Sequence, residues 1–169
     1  MAKIPVYSSK NVDIAWGGMS ILGLAPDSFI EVAPNSDLTD EEVGADSSLS
    51  ISMLPDGTGA VTISLSQNSP TNQSLAYVLN IMEETGELVQ EDLVINDPSG
   101  GSFCKVISAH LKTRPTIGMG SSASGSTRDW TFFAERVIYQ PVKEEDTNVP
   151  QIIADAIAAA KIFDRYLGK

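Results

Sequence analysis

Two runs of strict alternation constrain this chain more than any other feature: Leu49, Ile51 and Met53, then Val61, Ile63 and Leu65, separated by Pro55-Asp56-Gly57-Thr58-Gly59. In an extended strand successive side chains point to opposite faces, so each apolar trio shares one face and the intervening serines and threonine share the other. Pro, Asp and Gly supply turn geometry between them, and the pattern predicts a β-hairpin with one buried and one relatively polar face. The polar positions are Ser48, Ser50, Ser52, Thr62, Ser64 and Ser66.

Further extended segments are predicted around Phe29 to Ala33 and Leu93 to Asn96. The turn signal Asp97-Pro98-Ser99-Gly100-Gly101 leads into another from Phe103 to Leu111. A long strand is expected from Arg128 to Tyr139, with Trp130, Phe132, Ala134 and Ile138 on one face and Thr131, Phe133, Val137 and Tyr139 on the other. Bulky apolar groups on both faces call for cover on both sides. Ser69-Pro70 opens an amphipathic helix in which Leu75, Val78, Leu79 and Met82 recur at helical spacing. Pro150 begins a second, with Ile153, Ala156, Ile157, Ala160, Phe163 and Leu167 in one stripe. That stripe either packs back on its own domain or meets a partner. Thr116 to Thr127 is rich in Gly and Ser and reads as a flexible loop.

The expected fold class is therefore mainly β with α: a β-sandwich or distorted barrel with one flanking helix, plus a C-terminal helix. Residues 1–140 form the β domain, and residues 141–169 form a polar linker and the C-terminal helix. Nothing in the sequence signals secretion, and no apolar run approaches the roughly 18 residues that span a bilayer, so no membrane partner is expected.

Eleven Lys and Arg against 22 Asp and Glu give a formal net charge of −11. A groove that tracks phosphates needs clustered basic residues, and this chain has no such segment. Acidic residues gather instead at Asp37, Asp40, Glu41, Glu42 and Asp46, at Glu83, Glu84, Glu87, Glu91 and Asp92, and at Glu144, Glu145 and Asp146. They read either as solvated loops or as a surface that keeps DNA from sticking.

Catalytic and cofactor motifs fail on chemistry. Gly118-Met119-Gly120-Ser121-Ser122-Ala123 has the small-residue spacing of a dinucleotide loop, but a strand rather than a helix is expected after it. Cys104 and His110 share a face by parity in an unbroken strand, yet six residues hold them about 20 Å apart, too far for a thiol–imidazole dyad. Asp37 to Asp46 lacks the ligand spacing of a calcium loop. Cys104 is alone, which excludes an intramolecular disulfide. No cofactor, metal site or enzymatic activity is expected.

The order of the pieces resembles a family of bacteriophage tail tube proteins. Tyr7-Ser8-Ser9-Lys10-Asn11-Val12, Gly23 to Ile30, and Gly44-Ala45-Asp46 before the alternating runs carry the likeness. So do Ser64-Leu65-Ser66-Gln67-Asn68-Ser69-Pro70-Thr71-Asn72 and the closing Arg128-Asp129-Trp130-Thr131-Phe132. The resemblance runs from about Tyr7 to Gln140. It implies a structural virion protein, assembled in the host cytoplasm, whose hexameric rings stack into a tube that conducts DNA without binding it specifically. It further implies tail sheath, baseplate and tail terminator proteins as partners.

Within that expectation Asp37, Asp40, Glu41, Glu42 and Asp46 are the candidates for channel lining, with the Glu83 to Asp92 stretch as the other choice. Ile117 and Met119 are the candidates for contact between rings. The rival reading is a binding module, such as a β-sandwich adhesin, or a secretion-system tube component; a small hydrolase stands further off.

Overall fold

The structure is a computed structural model that describes residues 9–26, 29–99, 102–117 and 126–141. The described residues form strands β1 (Asp13–Trp16), β2 (Met19–Ser20), β3 (Ile30–Pro34), β4 (Thr39–Val43), β5 (Leu49–Met53) and β6 (Gly59–Ser66). Helix α1 (Thr71–Thr85) follows, then β7 (Glu91–Asp97), β8 (Ser102–Leu111), β9 (Thr127–Ala134) and β10 (Arg136–Pro141). The expected C-terminal helix lies outside the described residues.

One antiparallel sheet runs in the order β2-β1-β7-β8-β9-β6-β3, with β10 also paired to β8. Its ends, β2 and β3, do not pair with each other, so no closed barrel forms. The sheet nevertheless curls on itself. Strands β1 and β9 are three places apart, about 14 Å in a flat sheet, yet the rings of Trp16 and Phe132 meet edge to face with centroids 5.2 Å apart. The concave side holds the core, where Val61, Ile63, Leu65, Leu93, Val106, Trp130 and Phe132 are buried together with Leu75 of α1.

Two expectations are corrected here. The long strand expected from Arg128 to Tyr139 is broken at Glu135 into β9, which pairs with β6 and with the end of β8, and β10, which pairs with the start of β8. Tyr139 at the end of this stretch is exposed rather than covered.

The alternating runs are both strands but do not form a hairpin with each other. Strand β5 pairs with β4, whereas β6 lies between β3 and β9. The intervening segment serves as a tether rather than a hairpin turn. Asp56 accepts the Thr58 N–H at 2.9 Å, while the Gly57 carbonyl accepts from Val137 N–H and the Thr58 carbonyl from Asn35 N–H, both at 3.1 Å. Gly59 is buried, and a β-carbon there would sit 2.7 Å from Val137 Cγ2, so the entry of β6 into the sheet favours a glycine.

Helix α1 begins as its sequence predicts. Pro70 already has helical angles, φ −64 and ψ −26, and Ser69 Oγ accepts the Thr71 N–H at 3.2 Å. The helix ends at Gly86, whose φ of +71 places it in the left-handed region, with its N–H on the Met82 carbonyl.

Candidate assembly surfaces

The stretch from Ser64 to Asn72 acts as a structural brace. Asn72 is 2% exposed and its carboxamide oxygen accepts Trp130 Nε1 at 3.0 Å. Its nitrogen donates to the carbonyls of Ser66 at 2.9 Å and Gln67 at 3.4 Å. Thr71 Oγ1 accepts the Leu22 N–H and donates to the Leu22 carbonyl, to which Ser69 Oγ also donates. Three segments of the chain thus meet on buried polar groups, each of which would be expensive to leave unpaired. Gly23, with φ +72, lies so close that a β-carbon would meet Ser69 Cβ at 2.6 Å.

Strands β4 and β5 form a separate two-stranded ribbon. Register places Thr39 opposite Met53, Glu41 opposite Ile51 and Val43 opposite Leu49; the alternate pairs are Asp40 with Ser52 and Glu42 with Ser50. Directly opposed residues share a face. One face therefore carries Val43, Leu49, Ile51 and Met53, and the other carries two carboxylates and two hydroxyls. All four apolar side chains are exposed, from 60% at Ile51 to 75% at Met53. The expectation that Leu49, Ile51 and Met53 are buried is overturned for the isolated subunit, because no second layer lies beneath the ribbon among the described residues.

The five acidic residues of this region do not act as one group. Asp40 and Glu42 share the polar face, whereas Glu41 lies on the apolar face and accepts from Thr39 Oγ1. Asp37 precedes the ribbon and is exposed. Asp46 sits in the tip turn, where the Ser48 hydroxyl and then the Ser48 N–H hold its carboxyl below the usual carboxylate range. Three of the five thus belong to strand β4, where solvated loop had been one reading of the sequence.

The Glu83 to Asp92 group is spread differently. Glu83 pairs with Arg114 at the end of α1, and Asp92 pairs with Lys105 at 3.2 Å while accepting the Ser108 N–H. That N–H holds the Asp92 carboxyl low, with Lys105 adding to the effect.

Of the remaining hydroxyl positions, Thr62, Ser64 and Ser66 lie half-buried on the convex face of β6. Ser64 donates to Asp129 at 2.6 Å, and Thr131 lies 3.5 Å from Thr62. Ile117 is exposed, and Met119 lies outside the described residues, as does the stretch through Ala123 that has dinucleotide-loop spacing.

Cys104 and His110 do not share a face. Strand β8 carries a bulge at Ser108, φ +57, where its register with β7 shifts. Cys104, Val106, Ala109 and Leu111 are consequently all buried, while His110 turns to the convex side against the ring of Phe133. An extra residue inverts the parity of everything beyond it. Burial pushes the Cys104 thiol up, away from the reactive thiolate. No group of three or more metal-ligating side chains comes together among the described residues.

A family model described as the bacteriophage PhiTE tail tube protein matches residues 15–139, well over half of the chain. The chain belongs to this tail tube family. Tail tube proteins are structural proteins rather than enzymes.

Solved structures share the fold. The tube-terminating cap of the anti-feeding prophage superposes with a TM-score of 0.59 at 14% identity, over 83% of this chain and 95% of that one. The sheath/tube terminator of the PVC extracellular contractile injection system gives 0.59 at 15%, over 83% and 99%. A chain of the sheath–tube complex of the same system gives 0.56 at 15%, over 83% and 93%. Among curated proteins no sequence matches the chain.

Sequence reasoning missed two features of this surface. Val43 opposite Leu49 completes the apolar face of the ribbon, and Asn72 is the hub of the brace. Thr39-Asp40-Glu41-Glu42-Val43 carries a single apolar residue, too little alternation to announce a strand, and Asn72 had no periodic signal.

Proposed function

We propose that six copies of this tail tube protein close into a ring, that rings stack, and that the stack conducts DNA out of a contractile-tailed particle. The observation that carries this reading is the β4–β5 ribbon, whose four large apolar side chains stand in water in a single subunit. Burying a Leu, Ile, Met or Val side chain contributes about 1.5–3 kcal/mol, and a closed cyclic assembly gives every copy of the ribbon the same cover.

With the apolar face laid on a neighbour, the opposite face presents Asp40, Glu42, Ser50 and Ser52, the pair of carboxylates best placed to line the channel. Repulsion of phosphate acts over about 8 Å at physiological salt, so lining residues alone decide whether DNA slides. Ile117, together with Met119, is assigned to the contact with the next ring. Sheath outside the tube, with baseplate and terminator at its ends, complete the partners, in a virion assembled in the host cytoplasm.

Analytical ultracentrifugation and negative-stain microscopy of untagged protein test the reading. Rings or tubes are expected, and Ile51→Asp is expected to abolish them while the subunit stays folded by circular dichroism. A strictly monomeric wild type at every concentration, even beside tail initiation partners, overturns it. A map of an assembled tube with a basic or neutral lumen removes the acidic lining.

A further inference from the structure

The convex face of the β1-β7-β8-β10 part of the sheet carries apolar groups that no described element covers. Register puts Ala15, Val94, Lys105 and Ile138 in one row, with Phe103 beside Asn96 on one side of it and Ile107 beside Arg136 on the other. Ala15, Val94, Phe103, Ile107 and Ile138 are each half-buried. Helix α1 does not cover them, because its Leu75 enters the core on the opposite, concave side. Beyond Ile107 the face deepens into an open concavity of about 640 Å³ whose lining includes Gly17, Gly18, Glu91, Asp92 and Glu135.

We propose that the occupant of this face is the chain's own segment 150–169, laid down as a helix on the same subunit. Strand β10 runs from the concavity end at Arg136 to Pro141, opposite Ser102, so the chain leaves the sheet beside Phe103. Eight residues, 142–149, separate that exit from Pro150 and reach at most about 28 Å. A layer packed on a sheet stands about 10 Å from it, so the reversal is well within reach.

The lengths agree. Ile153 to Phe163 spans about 15 Å of helix, and Phe103 to Ile107 spans about 14 Å of strand. Ile153, Ile157, Ala160 and Phe163 then lie over Phe103, Val94, Ile138 and Ile107. The alanines on the stripe permit close approach of the helix to the sheet.

Charge sets the direction. The second half of the segment carries Lys161, Arg165 and Lys169 against Asp164, and running away from the Pro141 exit it ends over Glu91 and Glu135 at the concavity. The β4–β5 ribbon is the poorer seat, because its tether meets β10 at Val137, the end far from the exit. The family match ends at residue 139, so this layer is an addition to the shared fold, and it is independent of ring formation.

The test uses the full chain at concentrations where it is monomeric. The double variant Ile153→Asp/Ile157→Asp is expected to shift the methyl NMR signals of Val94, Ile107 and Ile138 and to raise binding of an apolar fluorescent dye several-fold. The signals of Val61 and Ile63 in the concave core should stay in place. In a Cys104→Ala background, Ile107→Cys with Phe163→Cys is expected to give an intramolecular disulfide under mild oxidation. Unmoved convex-face methyls, or a disulfide that forms only between chains, overturns the proposal while leaving the tube reading standing.

Discussion

Strands β5 and β6 carry the same signal and meet opposite fates. Leu49, Ile51 and Met53 of β5 are 60–75% exposed, whereas Val61, Ile63 and Leu65 of β6 are all fully buried. Alternation selects a strand with one apolar face; it does not select what covers that face. Strand β6 has sheet neighbours on both edges and the curled core beneath it, while among the described residues β5 has one strand partner, β4, and no second layer. Exposed apolar patches of this kind mark interaction sites, which is the ground for the ring contact proposed above.

The largest expected effect separates the two strands directly. Ile63→Ala should cost the subunit about 2–5 kcal/mol, the range for truncating a buried Ile. Ile51→Ala should change subunit stability by no more than about 0.5 kcal/mol, yet weaken assembly. Urea denaturation of the monomer and ring yield by microscopy measure the two. Equal destabilisation by both substitutions would mean that the ribbon folds back on its own domain.

Next in size is the brace that belongs to the buried side alone. Asn72→Ala leaves Trp130 Nε1 and the carbonyls of Ser66 and Gln67 without their partner, and should cost about 1–3 kcal/mol. Its counterpart on the ribbon, Glu41→Ala, releases an exposed bond from Thr39 and should leave the melting temperature nearly unchanged. A neutral Asn72→Ala would show that the brace adds nothing to the fold.

The tether between the strands offers an equally sharp contrast. At Gly59 a β-carbon meets Val137 Cγ2 at 2.7 Å and the Ala33 carbonyl oxygen at 3.1 Å, whereas at Gly57 it meets only Arg136 Cγ at 3.4 Å. Gly59→Ala should therefore destabilise by about 1–3 kcal/mol through overpacking, and Gly57→Ala should be close to neutral. Thermal melts of the pair decide whether the entry of β6 into the sheet is as crowded as these distances imply.

How much of this was legible in the sequence follows the same line. Strands β3, β5, β6, β7 and β8 and helix α1 were readable because period two and period 3.6 are local properties of the chain. The pairing of β5 with β4 was not, since Asp40, Glu41 and Glu42 look like a solvated loop until Val43 and Leu49 are seen across from each other. The split of β9 from β10 at Glu135 and the bulge at Ser108 were equally hidden, because both depend on which strands lie alongside. Of the acidic candidates, the sequence named the cluster, but only register divides Asp40 and Glu42 from Glu41.

The smallest expected effect lies at the ribbon's tip and tests whether β5 is held by anything besides β4. Asp46 is fully exposed, and its carboxyl is held low first by the Ser48 hydroxyl and then by the Ser48 N–H, with Oδ1 at 2.6 Å and 3.1 Å from the two donors. A group whose folded pKa lies below its unfolded value binds protons more readily in the unfolded chain, so it stabilises above the unfolded pKa. That contribution is complete above the ordinary carboxylate value of 3.8 and is lost as the pH falls through the lower folded value. As the pH falls below 3.8, the ordinary carboxylate value, the amide signals of Gly44, Ser47 and Ser48 should begin to move together. Those of residues 61–65 in β6 should stay still until the whole domain unfolds. Asp46→Asn should flatten the tip's response without touching β6. If the tip amides titrate unchanged in that variant, Asp46 does not fasten the turn, and the ribbon's order rests on its five backbone pairs with β4 alone.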